Sequence, residues 1–223
     1  MVFLLFGSSA SGKTTIVHDV VPLVDRVHGH DFDEIAPPPG ADTAWRHRTY
    51  RAWVDRALEL QRQHIDLLLC GQIPFGELLA APRAGELEAI SACLIDCDDV
   101  TRARRLDDRG EPWFERSAGP LMETFTWPEW VENHLRWADW LRRHARDPTW
   151  MPHVIRIPET KSEMDWARWQ DWTAGDGRWR VHTIDTTTRS REDAASDVAS
   201  WIHEERDMLE AGAHPLMAGW AGS

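Results

Sequence analysis

The stretch that decides the fold is Val2-Phe3-Leu4-Leu5-Phe6-Gly7-Ser8-Ser9-Ala10-Ser11-Gly12-Lys13-Thr14-Thr15. Val2 to Phe6 is an unbroken apolar run of the length of a buried strand. Gly7 to Thr14 satisfies G-x-x-x-x-G-K-[ST], the phosphate-binding loop or Walker A pattern. Gly7 and Gly12 let the backbone turn tightly and approach an anion with no Cβ in the way. Successive amides, those of Ser8, Ser9, Ala10 and Ser11 among them, then point inward and cradle a phosphate. The helix predicted from Lys13 to Val20 adds the positive end of its dipole. In this pattern Lys13 reaches the β- and γ-phosphates of a nucleotide, and the Thr14 hydroxyl is placed to ligate Mg²⁺. Thr15 completes the nucleotide-binding set. The bland alternative is a Gly/Ser turn that happens to precede a helix. Against it stand the apolar strand before the loop, the helix after it, and the scarcity of lysine, since only Lys13 and Lys161 occur.

Working outward, 223 residues suit one domain with insertions and are enough to bury a sizeable core. With 42% hydrophobic and 28% charged residues, the composition is that of an ordinary globular protein. The formal net charge of -12 argues against a nucleic acid as the main partner. Cys70, Cys93 and Cys97 are an odd number, which suits reduced thiols in a cytoplasm better than a disulfide framework. No apolar run approaches the ~18 residues of a membrane span. The N-terminal run lacks a basic leader and enters the loop directly, so it reads as a strand and not a signal peptide. Fourteen Trp stand against one Tyr, and most of them lie in the second half. Packing is the ordinary use of so many Trp.

Along the chain, Leu23 to His30 is a weak second strand, running into Asp31-Phe32-Asp33-Glu34. Carboxylates at the end of a strand lie on the carboxyl edge of a parallel sheet, where open α/β folds bind ligands. Asp31 or Asp33 is the nearest candidate for a carboxylate that serves Mg²⁺ with Thr14, and the other would face a substrate. His28, His30, Asp31 and Asp33 also permit a metal-cluster reading, but no Cys or His pair completes it. Asp42 to Gln63 reads as a long helix whose early Arg46 could reach an anionic substrate or phosphate. Ile65 to Cys70 is a buried strand that ends in Gly71-Gln72, where many P-loop proteins carry a carboxylate. Gln72 therefore joins the substrate candidates. Phe75 to Ala81 is a short helical segment. Ala92 to Cys97 is a fourth strand, followed by a helix from Asp98 to Asp108 with Arg105-Leu106-x-x-Arg109. Those arginines read as a lid over transferred phosphate, against the alternative of a solvated basic face. Glu111 to Gly177 is Trp-rich, with a capping box at Thr126-Trp127-Pro128-Glu129 opening a helix to about Arg146. Lys161 to Trp172 reads as another helix. Trp179 to Ile184 is a fifth strand ending near Asp185-Thr186, and Ser190 caps a last helix from Arg191 to about Leu209. The tail from Gly212 reads as loose.

Four stretches in this order resemble the P-loop small-molecule kinases, with shikimate, gluconate and chloramphenicol kinases as the comparison. They are Gly7 to Thr14, Asp31-Phe32-Asp33, Arg105-Leu106-x-x-Arg109 and Ile184-Asp185-Thr186. The resemblance covers about 1–112 and 178–207. It implies a three-layer α/β P-loop NTPase sandwich with five parallel strands in order 2-3-1-4-5, in one domain over 1–223. A lid and helical insertion would occupy about 98–177. It implies transfer of the ATP γ-phosphoryl group, with Mg²⁺, to a hydroxyl of a small molecule such as a metabolite, nucleoside or antibiotic. Lys13, Asp31, Asp33, Arg105 and Arg109 would carry the chemistry, and Thr186 would border adenine. A homodimer is one option for assembly. The departures are the missing carboxylate at 71–72 and the Trp-rich insertion. Two rivals remain: a nucleotide-dependent binding or resistance protein with little transfer activity, and a polynucleotide end kinase.

Overall fold

A computed structural model describes residues 1–37, 42–118, 126–150 and 163–222, with side chains omitted at 111–118 and 222. Its centre is a five-stranded parallel sheet in order β2-β3-β1-β4-β5, as the resemblance implies. The strands are β1 (Val2–Phe6), β2 (Val27–Asp31), β3 (Asp66–Gly71), β4 (Ile90–Asp96) and β5 (Val181–Asp185). β1 lies between β3 and β4, with Leu4 opposite Leu69 on one side and Ala92 on the other. Both faces of such a strand are buried, which is why its sequence is apolar throughout rather than alternating.

Alternate β1 side chains feed two cores. Val2, Leu4 and Phe6 face α2 (Thr43–Gln61), α3 (Phe75–Ala80) and α5 (Trp127–Arg146). Phe3 and Leu5 face α1 (Lys13–Val20) and α6 (Arg191–Glu210), with Trp201 edge-on to Phe3 at 5.4 Å. The remaining helix, α4 (Asp99–Ala118), follows β4 and is kinked at Gly110, whose φ is 69°. No helix among the described residues is long and apolar enough to cross a membrane.

Several expected boundaries shift. The second strand begins at Val27 and ends on Asp31, so Leu23 falls in a 3₁₀ turn. The helix expected from Asp98 to Asp108 is interrupted close to its expected end, at Gly110, whose backbone is not helical, and a second helical piece follows to Ala118. The capping box of α5 forms as read, with the Glu129 carboxylate accepting from the Thr126 amide at 2.7 Å. The helix expected from Lys161 to Trp172 is not one. Lys161 lies outside the described residues, and the rest holds only a 3₁₀ turn, Trp166–Arg168. Trp166, Trp169 and Trp172 have helical spacing, but they are wedges in the first core. Trp169 is 2% exposed and its indole donates to the Gly76 carbonyl at 2.8 Å. A Cβ on Gly76 would come within 2.5 Å of the Trp169 ring, so the two residues are fitted to each other.

The tail after Gly212 is not loose. Met217 forms an antiparallel bridge with Ala89, and Trp220 is buried. His214 accepts the Leu216 amide on Nδ1 at 3.1 Å, so its Nε2 carries the proton. That nitrogen lies 2.8 Å from the Ser91 hydroxyl and 3.2 Å from the Glu205 carboxylate. A buried polar cluster of this kind pins the tail to β4 and α6.

Candidate active site

Phe6 delivers the chain to Gly7 at the carboxyl edge of the sheet. A Cβ on Gly7 would meet the Ile95 carbonyl oxygen at 2.2 Å, so the loop can pass β4 there only as glycine. Gly12 has φ +95°, a left-handed value that releases the chain into α1. The loop carbonyls are held from behind. Arg105 donates to the Ala10 carbonyl at 3.2 Å, and Thr186 Oγ1 donates to the Ser11 carbonyl at 2.9 Å. The Gly7 amide donates to the Gly71 carbonyl and the Ser11 amide to the Ser8 carbonyl, each at 3.3 Å, while the amides between them are placed for an anion on the other side.

Asp31 ends β2 in register with Cys70 of β3. Its carboxylate accepts from Thr14 Oγ1 at 2.9 Å, from the Asp33 amide at 3.1 Å and from the Cys70 thiol at 3.4 Å. Burial first, and the Asp31 charge next, push the Cys70 thiol up to about 12, so it stays protonated beside Asp31. No carboxylate follows β3, but Asp31 on the neighbouring strand supplies one beside Thr14. Among the described residues no group of three His, Cys, Asp or Glu could hold a metal by itself. The four-residue cluster at 28–33 is therefore no such centre, and His30 pairs instead with Glu34 at 2.7 Å. A hydroxyl with one carboxylate is what Mg²⁺ uses when phosphate oxygens and water complete its shell.

A cavity of about 240 Å³ opens here, lined among others by Lys13, Thr14, Asp31, Asp33, Gln72 and Arg109. Burial lowers the Lys13 pKa, and the charges of Asp31 and Asp33 act against that shift. Desolvation raises the Asp33 pKa, the Asp31 charge raises it further, and Lys13 and Arg46 oppose both. Ser9 Oγ donates to Gln72 Oε1 at 3.4 Å, and Gln72 reaches the cavity. The Ser11 hydroxyl is buried without a partner, an orphan inside the cradle that a phosphate oxygen would satisfy. Next to this cavity lies one of about 340 Å³, where Ala10, Thr15, Arg105, Arg109, Thr186 and Arg189 are among the lining residues. Its position beyond Gly12 suits a base and ribose.

The candidate residues from the sequence therefore sort into three groups. Lys13, Thr14, Asp31, Asp33, Gln72 and Arg109 come together at one cavity, with Thr15 shared by both cavities. Arg105 lines the second cavity but is engaged, donating also to the Thr186 hydroxyl at 3.1 Å and carbonyl at 2.6 Å. Arg46 is committed elsewhere, with Nε and Nη2 both on Glu77 Oε2 at 2.9 and 2.7 Å. The Ser8 side chain also turns away, its hydroxyl donating to the His134 carbonyl at 2.8 Å.

Two features escaped the sequence reading. Asp96, at the end of β4, accepts from Arg102 Nη2 and from Arg142 Nε, each at 2.6 Å. Arg102, fully buried, also donates to the Ser9 carbonyl at 2.5 Å. The phosphate loop, α4 and α5 thus share one ion cluster. A strand-end aspartate six residues before an arginine was the available signal, but Arg142 is remote in sequence. The second is His134, buried on α5 and edge-on to Trp130 at 4.7 Å, with neither ring nitrogen partnered.

No protein-family model matches the chain. No curated protein matches it in sequence. Solved structures do match in fold. A sugar kinase from Janibacter sp. aligns over 91% of this chain and 94% of its own, with 12% identity and a TM-score of 0.52. A gluconokinase from Sinorhizobium meliloti aligns over 95% and 97%, with 10% identity and a TM-score of 0.52. At such identities the likeness concerns the fold, and together with the five-stranded 2-3-1-4-5 sheet it gives this chain the fold of the P-loop small-molecule kinases.

Proposed function

We propose that this chain, as one domain, is an ATP-dependent phosphotransferase that moves the γ-phosphoryl group to a hydroxyl of a small molecule. The observation that carries the reading is the convergence of Lys13, Thr14, Asp31 and Asp33 on one cavity behind a glycine-shaped loop. The loop amides, the Ser11 hydroxyl and Lys13 hold the nucleotide's phosphates. Thr14 and Asp31 would hold Mg²⁺, which when bound neutralises charge on the phosphate oxygens. Asp33 orients the acceptor hydroxyl and takes its proton. The acceptor O–P bond forms as the bond to the leaving ADP oxygen breaks, so atoms balance without a further reactant. Arg109, which lines both cavities, would meet charge on the transferred group. Arg105 serves the nucleotide side by fixing the Ala10 and Thr186 carbonyls.

The rival binder reading drew on the absence of a carboxylate after β3. With Asp31 beside Thr14 that absence no longer favours it. The experiment is product analysis with γ-labelled ATP, Mg²⁺ and a panel of hydroxyl compounds. Label on an acceptor supports transfer. Nucleotide bound with no label leaving it, across sugars, nucleosides and aromatic alcohols, favours the binder.

A further inference from the structure

One carboxylate stands beside Thr14, and its hydrogen bonds fix how it is presented. Asp31 Oδ1 accepts from the Asp33 amide at 3.1 Å. Asp31 Oδ2 accepts from two donors, Thr14 Oγ1 at 2.9 Å and the Cys70 thiol at 3.4 Å. An ionised carboxylate has about four lone-pair sites. These donors fill all but one, which is left for a cation or a water on it.

The donors differ in origin. Thr14 is itself a candidate metal ligand, and the Asp33 amide belongs to the turn that Asp31 opens. Cys70 is the donor that comes from the sheet. It stands opposite Asp31 in the parallel ladder of β2 and β3. Residues paired in this way project to the same face of a sheet. Here that is the face on which α1 packs, since Cys70 shares the second core with Ile16 and Val17. The same helix carries Thr14, so strand register and helix packing bring the three side chains together. Cys70 is 1% exposed, so its thiol has no water to turn to. An ionised carboxylate only accepts, so the proton in this bond is the thiol's. A carboxylate at position 70 would lie beside Asp31 at the ~4.8 Å spacing of neighbouring strands and repel it. A thiol fills the place as a neutral donor that also suits an apolar core.

We propose that Cys70 is a positioning residue for the metal carboxylate: its thiol, donating to Oδ2, holds Asp31 turned toward Thr14 and the phosphate loop. The proposal rests on Thr14 and Asp31 being the Mg²⁺ pair of the phosphotransferase reading. Without the thiol, Oδ2 keeps only Thr14, and the carboxylate can rotate away from the cavity. A cation then meets a less ordered ligand and binds more weakly.

The test uses the full chain and a non-hydrolysable ATP analogue, with Mn²⁺ as the probe of the Mg²⁺ position. Electron paramagnetic resonance measures free Mn²⁺ and so its affinity for the chain–nucleotide complex. Cys70→Ala should weaken Mn²⁺ by about tenfold, the low end for a partner that orients a metal ligand, because a thiol is a weak donor. Affinity for the analogue without metal should stay that of the parent, which a general loosening of the core would not spare. Cys70→Ser returns a donor and should restore most of the Mn²⁺ affinity. The bond itself is read without ligands, from the infrared S–H stretch. The Cys70 band, identified by its loss in Cys70→Ser, should lie below those of Cys93 and Cys97, whose thiols reach carbonyl oxygens only at 3.9 and 3.8 Å. Asp31→Ala should move it upward. Unchanged Mn²⁺ affinity in folded Cys70→Ala, or an equal loss in Cys70→Ser, overturns the proposal. If Cys70→Ala does not fold, the infrared band decides, and a band that Asp31→Ala leaves in place overturns it. A chain that phosphorylates an acceptor while Cys70→Ala holds Mn²⁺ like the parent loses this role alone. A chain that binds no metal–nucleotide loses the phosphotransferase reading, and this one with it.

Discussion

Lys13 brings one positive charge into a cavity that also holds Asp31 and Asp33. Its value is electrostatic, because it faces phosphate oxygens where water is partly excluded. Lys13→Ala should lower Mg-ATP affinity or turnover by at least about tenfold, or 1.4 kcal/mol. Titration calorimetry on the folded variant checks this, and unchanged binding and turnover would end the phosphate-loop reading. Asp33 is expected to split the two functions. Asp33→Asn keeps the size and removes the charge, so Mg-ATP should still bind while acceptor phosphorylation falls by roughly a hundredfold. Burial and the Asp31 charge raise the Asp33 pKa. A base must be ionised to act, so activity should fall on the acid side at a pH above the ordinary carboxylate range. That limb should vanish in the variant. Should Asp31→Asn abolish turnover while Asp33→Asn is nearly silent, the two roles are exchanged.

Among the elements, α5 is tied to the phosphate loop twice, through Ser8 to the His134 carbonyl and through Asp96 to Arg102 and Arg142. Removing the shared carboxylate leaves Arg102, which is fully buried, without its ion partner. Asp96→Ala should therefore cost roughly 2 to 3 kcal/mol, below the usual range for a wholly buried pair because Asp96 and Arg142 are partly open to water. Urea unfolding measures that cost, and a loss under about 0.5 kcal/mol would show the cluster to be dispensable. Nucleotide affinity should fall with it, since Arg102 also braces the Ser9 carbonyl. The Asp96 cluster marks the limit of what local pattern reveals. β1, the loop and the cap of α5 were legible because each is set by neighbours a few residues apart. The Arg46 bond to Glu77 was not legible because a mid-helix arginine looks the same whether its partner is a ligand or a buried glutamate thirty-one residues on. Trp166, Trp169 and Trp172 imitated a helix because core wedges from a folded-back segment can share its three-residue spacing.

For the molecule as a whole, the Trp-rich second half is built into the first core rather than held apart as a mobile cover, among the residues described. His144 is at the centre of that join. It is fully buried, stacked on Trp140 at 5.2 Å, edge-on to Trp179 at 4.9 Å and to Trp169 at 6.1 Å. Its Nε2 accepts the Gly76 amide at 3.4 Å, and its carbonyl accepts the Trp179 indole N–H at 3.0 Å. Burial pushes its pKa down to about 3, from an ordinary 6.5. The unfolded chain therefore binds a proton on His144 first as pH falls. Stability from the neutral ring is fully present above about pH 6.5 and is lost steadily toward pH 3. Each pH unit within that window costs about 1.4 kcal/mol, so roughly 3 kcal/mol is gone by pH 4. His134, pushed down to about 4, adds a second loss of the same sign that ends one unit earlier. The slope of unfolding free energy against pH should thus rise from about one proton at pH 6.5 toward two near pH 5 from these two groups. His144→Phe changes the absolute stability in either direction, because it fills a similar volume but strands the Gly76 amide. The slope is the cleaner quantity, and it should fall by about one proton in the variant. An unaltered slope would mean that His144 is protonated in the folded chain, and the Trp cage around it would then have to open as the pH drops.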